Sequence, residues 1–333
     1  MFQRATTMLS KLTWRTLVLT LAVLSALHFL FLDDTLRRAY STHLRPHSDP
    51  PIPIPSSVAP FAAGDVAEDI AICLAVKDQF ADLAEWLTHH YHHLAIRRFY
   101  IMDDGSSPPL ATRDFSPFLD PKAITHRYYH PAVHHRYQQL VSYSECLKLY
   151  GDKHKWIAFI DADEYLEVRG NETLRDILRP YDNDTSVGAF AVNWQIHTSG
   201  GLLKRPPSAR RGFTRCIQDQ DPNHPVNVGT ENEHIKVIVK PAFALKPDVH
   251  KFALVDGART VGEDGDTVDR IAWRVPITRR RVALHHYATR SREEYEQKMG
   301  RGNGMGDPKG WDWWDWVERI PTVECREMSG LVP

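Results

Sequence analysis

The sequence predicts an α/β protein built on a doubly wound, mostly parallel sheet and carried behind an N-terminal transmembrane helix and a stem. Three observations predict it. Apolar strand-like runs alternate with amphipathic helical stripes from residue 70 onward, and two of those runs end in acidic clusters. Ahead of them, 17 residues without a formal charge precede a proline-rich stretch. Of the 333 residues, 42% are hydrophobic and 25% charged, enough apolar material for a large core, which excludes a disordered or low-complexity chain. Lys+Arg 41 against Asp+Glu 42 leaves a formal charge of -1, so no basic field gathers nucleic acid, and none is expected as a partner.

Residues 1–15 read as a cytoplasmic tail. Residues 16–32 (TLVLTLAVLSALHFLFL) stop at Asp33-Asp34 and sit at the short limit for a membrane-spanning helix, so they read as an uncleaved signal anchor. A cleaved signal peptide is the competing reading, but no clear small-x-small cleavage site follows the run. Arg4, Lys11 and Arg15 before the span are nearly matched by Arg37, Arg38 and Arg45 after it, so charge alone leaves the orientation close to a tie. The sequons Asn171-Glu172-Thr173 and Asn183-Asp184-Thr185 tip it toward a single-pass type II protein of the Golgi or endoplasmic reticulum membrane, with its C-terminal part lumenal. Residues 33–67 carry Pro46, Pro50, Pro51, Pro53, Pro55 and Pro60, which favour extended chain and read as a stem. Residues 68–333 are expected to form one globular domain. Its cysteines, Cys73, Cys146, Cys216 and Cys325, lack zinc-type spacing and leave three disulfide connectivities open.

The domain opens with residues 70–76 (IAICLAV), a continuous apolar run of the kind found in strands buried on both faces. Leu83, Trp86, Leu87, His90, Tyr91 and Leu94 then form one helical stripe. A second strand is expected at 98–102, a second helix from Leu140, Tyr143, Leu147 and Tyr150, and a third strand at 156–160. The second strand runs into Asp103-Asp104-Gly105-Ser106 and the third into Asp161-Ala162-Asp163-Glu164. In sheets of this kind ligands bind beyond the carboxyl ends of the strands, where both acidic clusters fall.

On extended chain Asp161 and Asp163 project to one side while Ala162 turns to the core, and two carboxylates aimed at one point call for a cation between them. Hard divalent ions such as Mn²⁺ or Mg²⁺ take oxygen ligands and leave positions for substrate phosphates, so the pair reads as a metal site. A turn or helix cap is the plainer reading of D-x-D, and Asp-Gly with Pro108-Pro109 is ordinary turn chemistry. Asp103 and Asp104 would otherwise accept hydrogen bonds from a nucleoside.

The combination resembles glycosyltransferase family 92, a family of the GT-A fold. Carrying it are Lys77-Asp78 with Glu85, Trp86 and His90, then residues 100–106 (YIMDDGS) and 156–166 (WIAFIDADEYL). Later come Asn193-Trp194, residues 236–241 (KVIVKP), His250, and His285-His286-Tyr287 followed by Ser291, Glu293-Glu294-Tyr295 and Lys298. The likeness covers about residues 68–301. It implies a metal-dependent transferase that moves a sugar, with galactose favoured, from a UDP-sugar to a glycan acceptor with inversion. It also implies a late histidine completing the shell of Asp161 and Asp163; on an extended segment only one of the pair can face the site, and His286, directly before Tyr287, is taken over His285. Two departures stand out. Gln79 stands where the family commonly carries a carboxylate, leaving Asp78 as the substitute, and residues 209–217 (ARRGFTRCI) lack the acidic residue expected near the acceptor.

Such a reaction needs a carboxylate base, for which Glu231, Glu233, Glu263 and Asp264 are unranked by spacing; Glu233 is taken with Glu164 as the catalytic pair. Lys298 and Arg301, which follow the HHY…S pattern, lead the diphosphate partners, ahead of Lys77, Arg279, Arg280, Arg281 and Arg290; Lys77 is also taken as donor-binding. His89 and His93 have helical zinc spacing without an HExxH motif, and packing is the stronger reading for them and for Trp311, Trp313, Trp314 and Trp316. Two rival classes stay open: a carbohydrate-binding or scaffold protein that kept the fold and lost turnover, and a metal-dependent phosphotransferase or nucleotidyltransferase.

Overall fold

A computed structural model describes residues 69–220, 230–307 and 309–331. The expected tail, anchor at 16–32 and stem at 33–67 lie outside the described residues. Among the described residues no helix is long and apolar enough to cross a membrane.

The first half runs β1 (Ile70–Val76), α1 (Phe80–His92), β2 (Phe99–Asp103), β3 (Ile124–Tyr128), α2 (Gln138–Tyr150), β4 (Trp156–Phe159) and β5 (Glu164–Val168). After α3 (Leu174–Leu178) come the long β6 (Val187–Ile196), α4 (Ala209–Gly212), β7 (Arg215–Ile217) and β8 (Ile235–Val239). The chain ends with β9 (Ala244–Lys246), β10 (Ala253–Leu254), β11 (Arg259–Val261), β12 (Val282–His286), α5 (Arg292–Arg301), α6 (Trp311–Arg319) and β13 (Thr322–Glu324). One nine-stranded sheet runs in the order β3-β2-β1-β4-β8-β6-β12-β5, with β11 also paired to β6.

Pairing within β3-β2-β1-β4 is parallel; helices α1 and α2 supply the crossovers after β1 and β3, and a long loop with short 3-10 turns carries the chain from β2 to β3. The sheet then turns mixed: β8 is antiparallel to both β4 and β6, and β5 to β12, while β11 and β12 run parallel to β6. Strand β5 follows β4 after a four-residue turn, too short for a crossover, so it cannot pair parallel beside it and joins the far edge.

Period-two alternation sorts the core onto the two faces of the sheet. Ile72 and Leu74 of β1, Phe99 and Ile101 of β2 and Ala158 of β4 pack with Leu83, Trp86 and Leu87 of α1. Ala71, Cys73, Tyr100 and Phe159 face the other way and pack with Tyr143, Cys146 and Tyr150 of α2. Disulfides join Cys73 of β1 to Cys146 of α2 and Cys216 of β7 to Cys325 beyond β13, one of the three connectivities that the sequence leaves open. Helix α5 begins at a capping box in which Ser291 and Glu294 satisfy each other's backbone N–H groups.

Candidate active site

A cleft of about 350 Å³ opens at the carboxyl ends of β1, β2 and β4, the ligand-binding edge of such a sheet. Its walls include Val76, Lys77, Asp104, Asp161, Asp163, Trp194, Glu231, His286, Lys298, Arg301 and Trp313. Of the residues that the sequence singles out, Lys77, Asp104, Asp161, Asp163, His286, Lys298 and Arg301 thus meet at one cleft, and Asp78, Asp103, Glu164 and Glu233 do not line it.

The acidic motif is a closed turn, where extended chain was expected. The Glu164 N–H donates to the Asp161 carbonyl at 3.0 Å, and the Asp161 N–H donates back to Glu164 Oε2 at 2.8 Å. Trp86 Nε1–H bridges the Asp161 and Glu164 carbonyls at 3.1 and 2.7 Å, so helix α1 holds the turn in place. Asp161 and Asp163 still reach the cleft, and Ala162 packs on the core while bordering the cleft between them. Glu164 lies beneath them with no exposed surface, and its Oε1 has no partner. Burial raises its carboxyl to about 8, opposed by Lys236 and aided by Asp161 and Asp163. A group so enclosed supports the turn and touches nothing in the cleft.

Each aspartate already has a lysine. Lys236 Nζ of β8 lies 2.7 Å from Asp161 Oδ2, and Gln139 Nε2–H donates to Asp161 Oδ1 at 2.7 Å. Lys298 Nζ of α5 lies 2.8 Å from Asp163 Oδ2 and also donates to the Ala288 carbonyl. Burial opposes charge on Asp163, yet Lys298 and His286 outweigh it and hold the carboxyl well below its usual range. Burial likewise pulls the Lys236 ammonium down, and Asp161 and Glu164 reverse this and raise it. The sequence gives no sign of the Lys236 pairing, because 75 residues separate it from Asp161 and only the β4–β8 register brings the two together.

Strand β12 sends its two histidines to opposite faces. His286 faces the cleft, its Nε2 3.7 Å from Asp163 Oδ1 and its ring 4.3 Å from that of Trp194. Burial lowers its pKa, favouring the neutral imidazole that ligates metals, and its buried Nδ1 has no partner among the described residues. His285 is fully buried between Glu167 Oε2 at 2.9 Å and His197 Nε2 at 2.8 Å, and His197 Nδ1–H donates onward to the Phe213 carbonyl.

The remaining singled-out residues serve the scaffold. Asp103 accepts the N–H groups of Ser106 and Leu110, and Asp78 accepts that of Ser107, so both carboxylates pin the loop after β2. Gly105 in that loop has φ +71, and an added Cβ would stand 3.0 Å from Pro131. Asp104 is bonded to His134 at 2.8 Å at the cleft wall. Glu263 accepts the N–H groups of Arg280, Arg281 and Val282, and Asp264 pairs with Arg280. Arg279 is tied to Asp219, Arg281 to Glu172 and Arg290 to Asp82. Arg301 lines the cleft with no hydrogen bond or ion pair from its side chain among the described residues. His89 spends its ring on the Leu166 carbonyl and Arg210, which leaves no zinc ligand there. Trp311 and Trp314 pack on Tyr295, while Trp313 reaches the cleft.

Asp163 Oδ1 and His286 Nε2 are spaced as two ligands of one cation, for which ligand bonds run about 2.0–2.2 Å, and an oxygen with an imidazole fits a divalent transition ion. Asp161 is drawn aside by Lys236 and Gln139. Among the described residues the trio of potential ligand atoms that closes to within 4.8 Å is His197, Cys216 and Cys325, and its two cysteines are spent on a disulfide.

The sequence model of glycosyltransferase family 92 matches residues 68–299. A glycosyltransferase family 92 protein of Oryza sativa subsp. japonica is 28% identical over 203 residues, covering 59% of this chain and 31% of that one. One of Ricinus communis is 24% identical over 209 residues, covering 62% and 35%. The match thus spans about a third of the length of these curated relatives. Among solved structures, the galactosyltransferase LgtC aligns with 51% of this chain and 58% of its own at 16% identity and a TM-score of 0.24. So slight a likeness leaves the fold to be read from this chain alone.

Proposed function

The chain belongs to glycosyltransferase family 92, and from that premise we propose that it transfers a sugar from a nucleotide sugar to a glycan hydroxyl. The observation that carries the reading is the cleft itself, where Lys298 and Arg301, the latter without a partner among the described residues, line the same cleft as Asp163 and His286 at the carboxyl edge of the sheet. Arg301 and Lys298 meet the donor diphosphate, and the guanidinium offers paired donors that no carboxylate among the described residues occupies. Lys77 and Asp104 border the nucleoside end, beside the loop that Asp78 and Asp103 hold.

Asp163 and His286 would hold a divalent ion, Mn²⁺ or Mg²⁺, with Asp161 close by. Bound there, such an ion supplies Lewis acidity to the departing diphosphate. Trp313 offers an aromatic face for a sugar ring, and the edge of the buried Trp194 adds apolar wall that keeps water from competing as acceptor. UDP-galactose and an inverting outcome remain the preferred donor and stereochemistry. Membrane attachment through residues 16–32, with the domain in the Golgi or endoplasmic reticulum lumen, belongs to the same reading, and Asn171 and Asn183 are both exposed, as acceptors of N-glycan must be.

The two lysine–aspartate pairs favour an alternative, a carbohydrate-binding protein whose acidic turn is already neutralised. One experiment separates them. Purified chain is incubated with UDP-galactose, UDP-glucose and UDP-N-acetylglucosamine, with and without Mn²⁺, and UDP release is measured with and without methyl glycosides as acceptors. Metal-dependent UDP release that rises with acceptor supports the transferase; sugar binding without UDP release under every condition supports the alternative.

A further inference from the structure

We propose that Glu231 is the general base of the transfer, taking the proton from the acceptor hydroxyl; this rests on the transferase reading above. A base needs a carboxylate with a free lone pair at the place where the acceptor sits. Of the carboxylates lining the cleft, Asp104 is bonded to His134, Asp161 to Lys236 and Asp163 to Lys298, at 2.8, 2.7 and 2.8 Å. Glu231 is the exception: its nearest cationic partner among the described residues is His234, at 3.4 Å, and burial pulls that imidazole down to about 4, so the pair carries no positive charge near neutral pH.

The other carboxylates named for this role do not reach the cleft. Glu233 follows on the same short turn, Glu231–Glu233, but is not among the lining residues; Glu263 caps the backbone before β12, and Glu164 is sealed under the acidic turn. Burial raises the Glu231 carboxyl, with Lys309 opposing in part, and so makes it a stronger base than an exposed glutamate.

An aromatic floor links Glu231 to the metal-ligand pair. His234 stacks on Trp194 with ring centres 4.8 Å apart and planes 18° apart, and the Trp194 ring lies 4.3 Å from that of His286. Glu231, His234, Trp194 and His286 line one continuous wall of the cleft, so an acceptor sugar bound along it would have a hydroxyl within reach of Glu231 while facing the donor. In the step, the acceptor oxygen forms a bond to the anomeric carbon, and the bond from that carbon to the diphosphate oxygen breaks, its electron pair leaving with the diphosphate. The acceptor's proton passes to Glu231, which later returns it to solvent.

The test compares wild type, Glu231→Gln and Glu231→Asp as full-length chain in detergent micelles. It uses UDP-galactose and the methyl glycoside acceptor that wild type turns over fastest. Transfer kcat, acceptor KM, donor affinity by calorimetry and melting temperature are read in parallel. The expected result for Glu231→Gln is a kcat at least ~100-fold lower, with KM, donor affinity and melting temperature each close to wild type, and partial recovery in Glu231→Asp. Retention of kcat within threefold, or a loss confined to KM or donor affinity, overturns the assignment alone. Absence of transfer by wild type overturns the transferase reading itself and this assignment with it.

Discussion

Lys236 Nζ lies 2.7 Å from Asp161 Oδ2 while being closed off from solvent, so the first aspartate of the acidic turn is neutralised by the chain's own ammonium. The same ammonium is 3.8 Å from Glu164 Oε2, so it sits beneath both ends of the turn, while Lys298 answers Asp163. Lys236→Met is therefore expected to destabilise the domain, since removing one member of a buried pair costs roughly 3–5 kcal/mol. The partial exposure of Asp161 brings the expectation to the lower end. Urea unfolding checks it, and an unchanged midpoint would show that the turn does not need this cation.

Asp163→Asn is expected to abolish donor turnover and also to lower the melting temperature. At the mouth of an open site, loss of one of two like charges would cost little, but here Asp163 is 6% exposed and bonded to Lys298. The variant leaves Lys298 and Arg290 with less negative charge around them. Differential scanning calorimetry beside a UDP-release assay distinguishes the two losses; full turnover in the variant would remove Asp163 from the donor site.

For the adjacent histidines the expected phenotypes are opposite. His286→Ala loses Mn²⁺-dependent binding of UDP-galactose, measured by calorimetry with and without Mn²⁺, and keeps its fold. His285→Ala keeps that binding but breaks the Glu167–His285–His197 chain, leaving His197 Nε2 buried without its partner at a cost of about 1–3 kcal/mol. The reverse pattern would overturn the assignment of the two faces.

Acid should destabilise the fold through Glu167. Burial opposes its charge, but the bonds from His285 and Arg169 win and lower its pKa to about 2. A carboxyl lowered on folding gives stability that is present above its unfolded value, about 4.3, and is lost as pH falls from there through the folded value. Unfolding curves between pH 6 and pH 3 should thus fall less steeply for Glu167→Gln than for wild type. Parallel curves would mean that Glu167 makes no such contribution.

Peptide mapping without reduction is expected to recover Cys73 linked to Cys146 and Cys216 linked to Cys325. Reduction should lower the melting temperature, since each bridge closes a long loop, typically contributing about 2–4 kcal/mol. Any other pairing would contradict the contacts of β1 with α2 and of β7 with β13.

Local pattern carried the first half of the domain: β1, β2, α2 and β4 lie within a residue or two of where periodicity puts them, and α1 starts three residues before its stripe and ends two before Leu94. Periodicity is a local property, and parallel strands buried on both faces leave a continuous apolar signature. Strand β3 went unrecognised because its five residues are only partly buried at the sheet edge, and β5 because the acidic turn reads as the end of a strand without marking the start of another. The alternation that separates His285 from His286 was also legible, since a strand turns its side chains by a fixed half-turn per residue.

What the sequence by itself determined is therefore the kinds of element, the acidic turn at the strand end, the family, and the presence in one chain of Lys77, Asp104, Asp161, Asp163, His286, Lys298 and Arg301. Only the tertiary structure decided their standing. It pairs Lys236 with Asp161 and Lys298 with Asp163, turns Asp78 and Asp103 to loop-holding, seals Glu164 away, and brings Glu231 to the cleft in place of Glu233. The reason is physical: residue type and spacing fix what a side chain is able to do. Which charge faces which, and what burial does to each, depends on strand order and register between segments far apart in the chain, 135 residues in the case of Asp163 and Lys298.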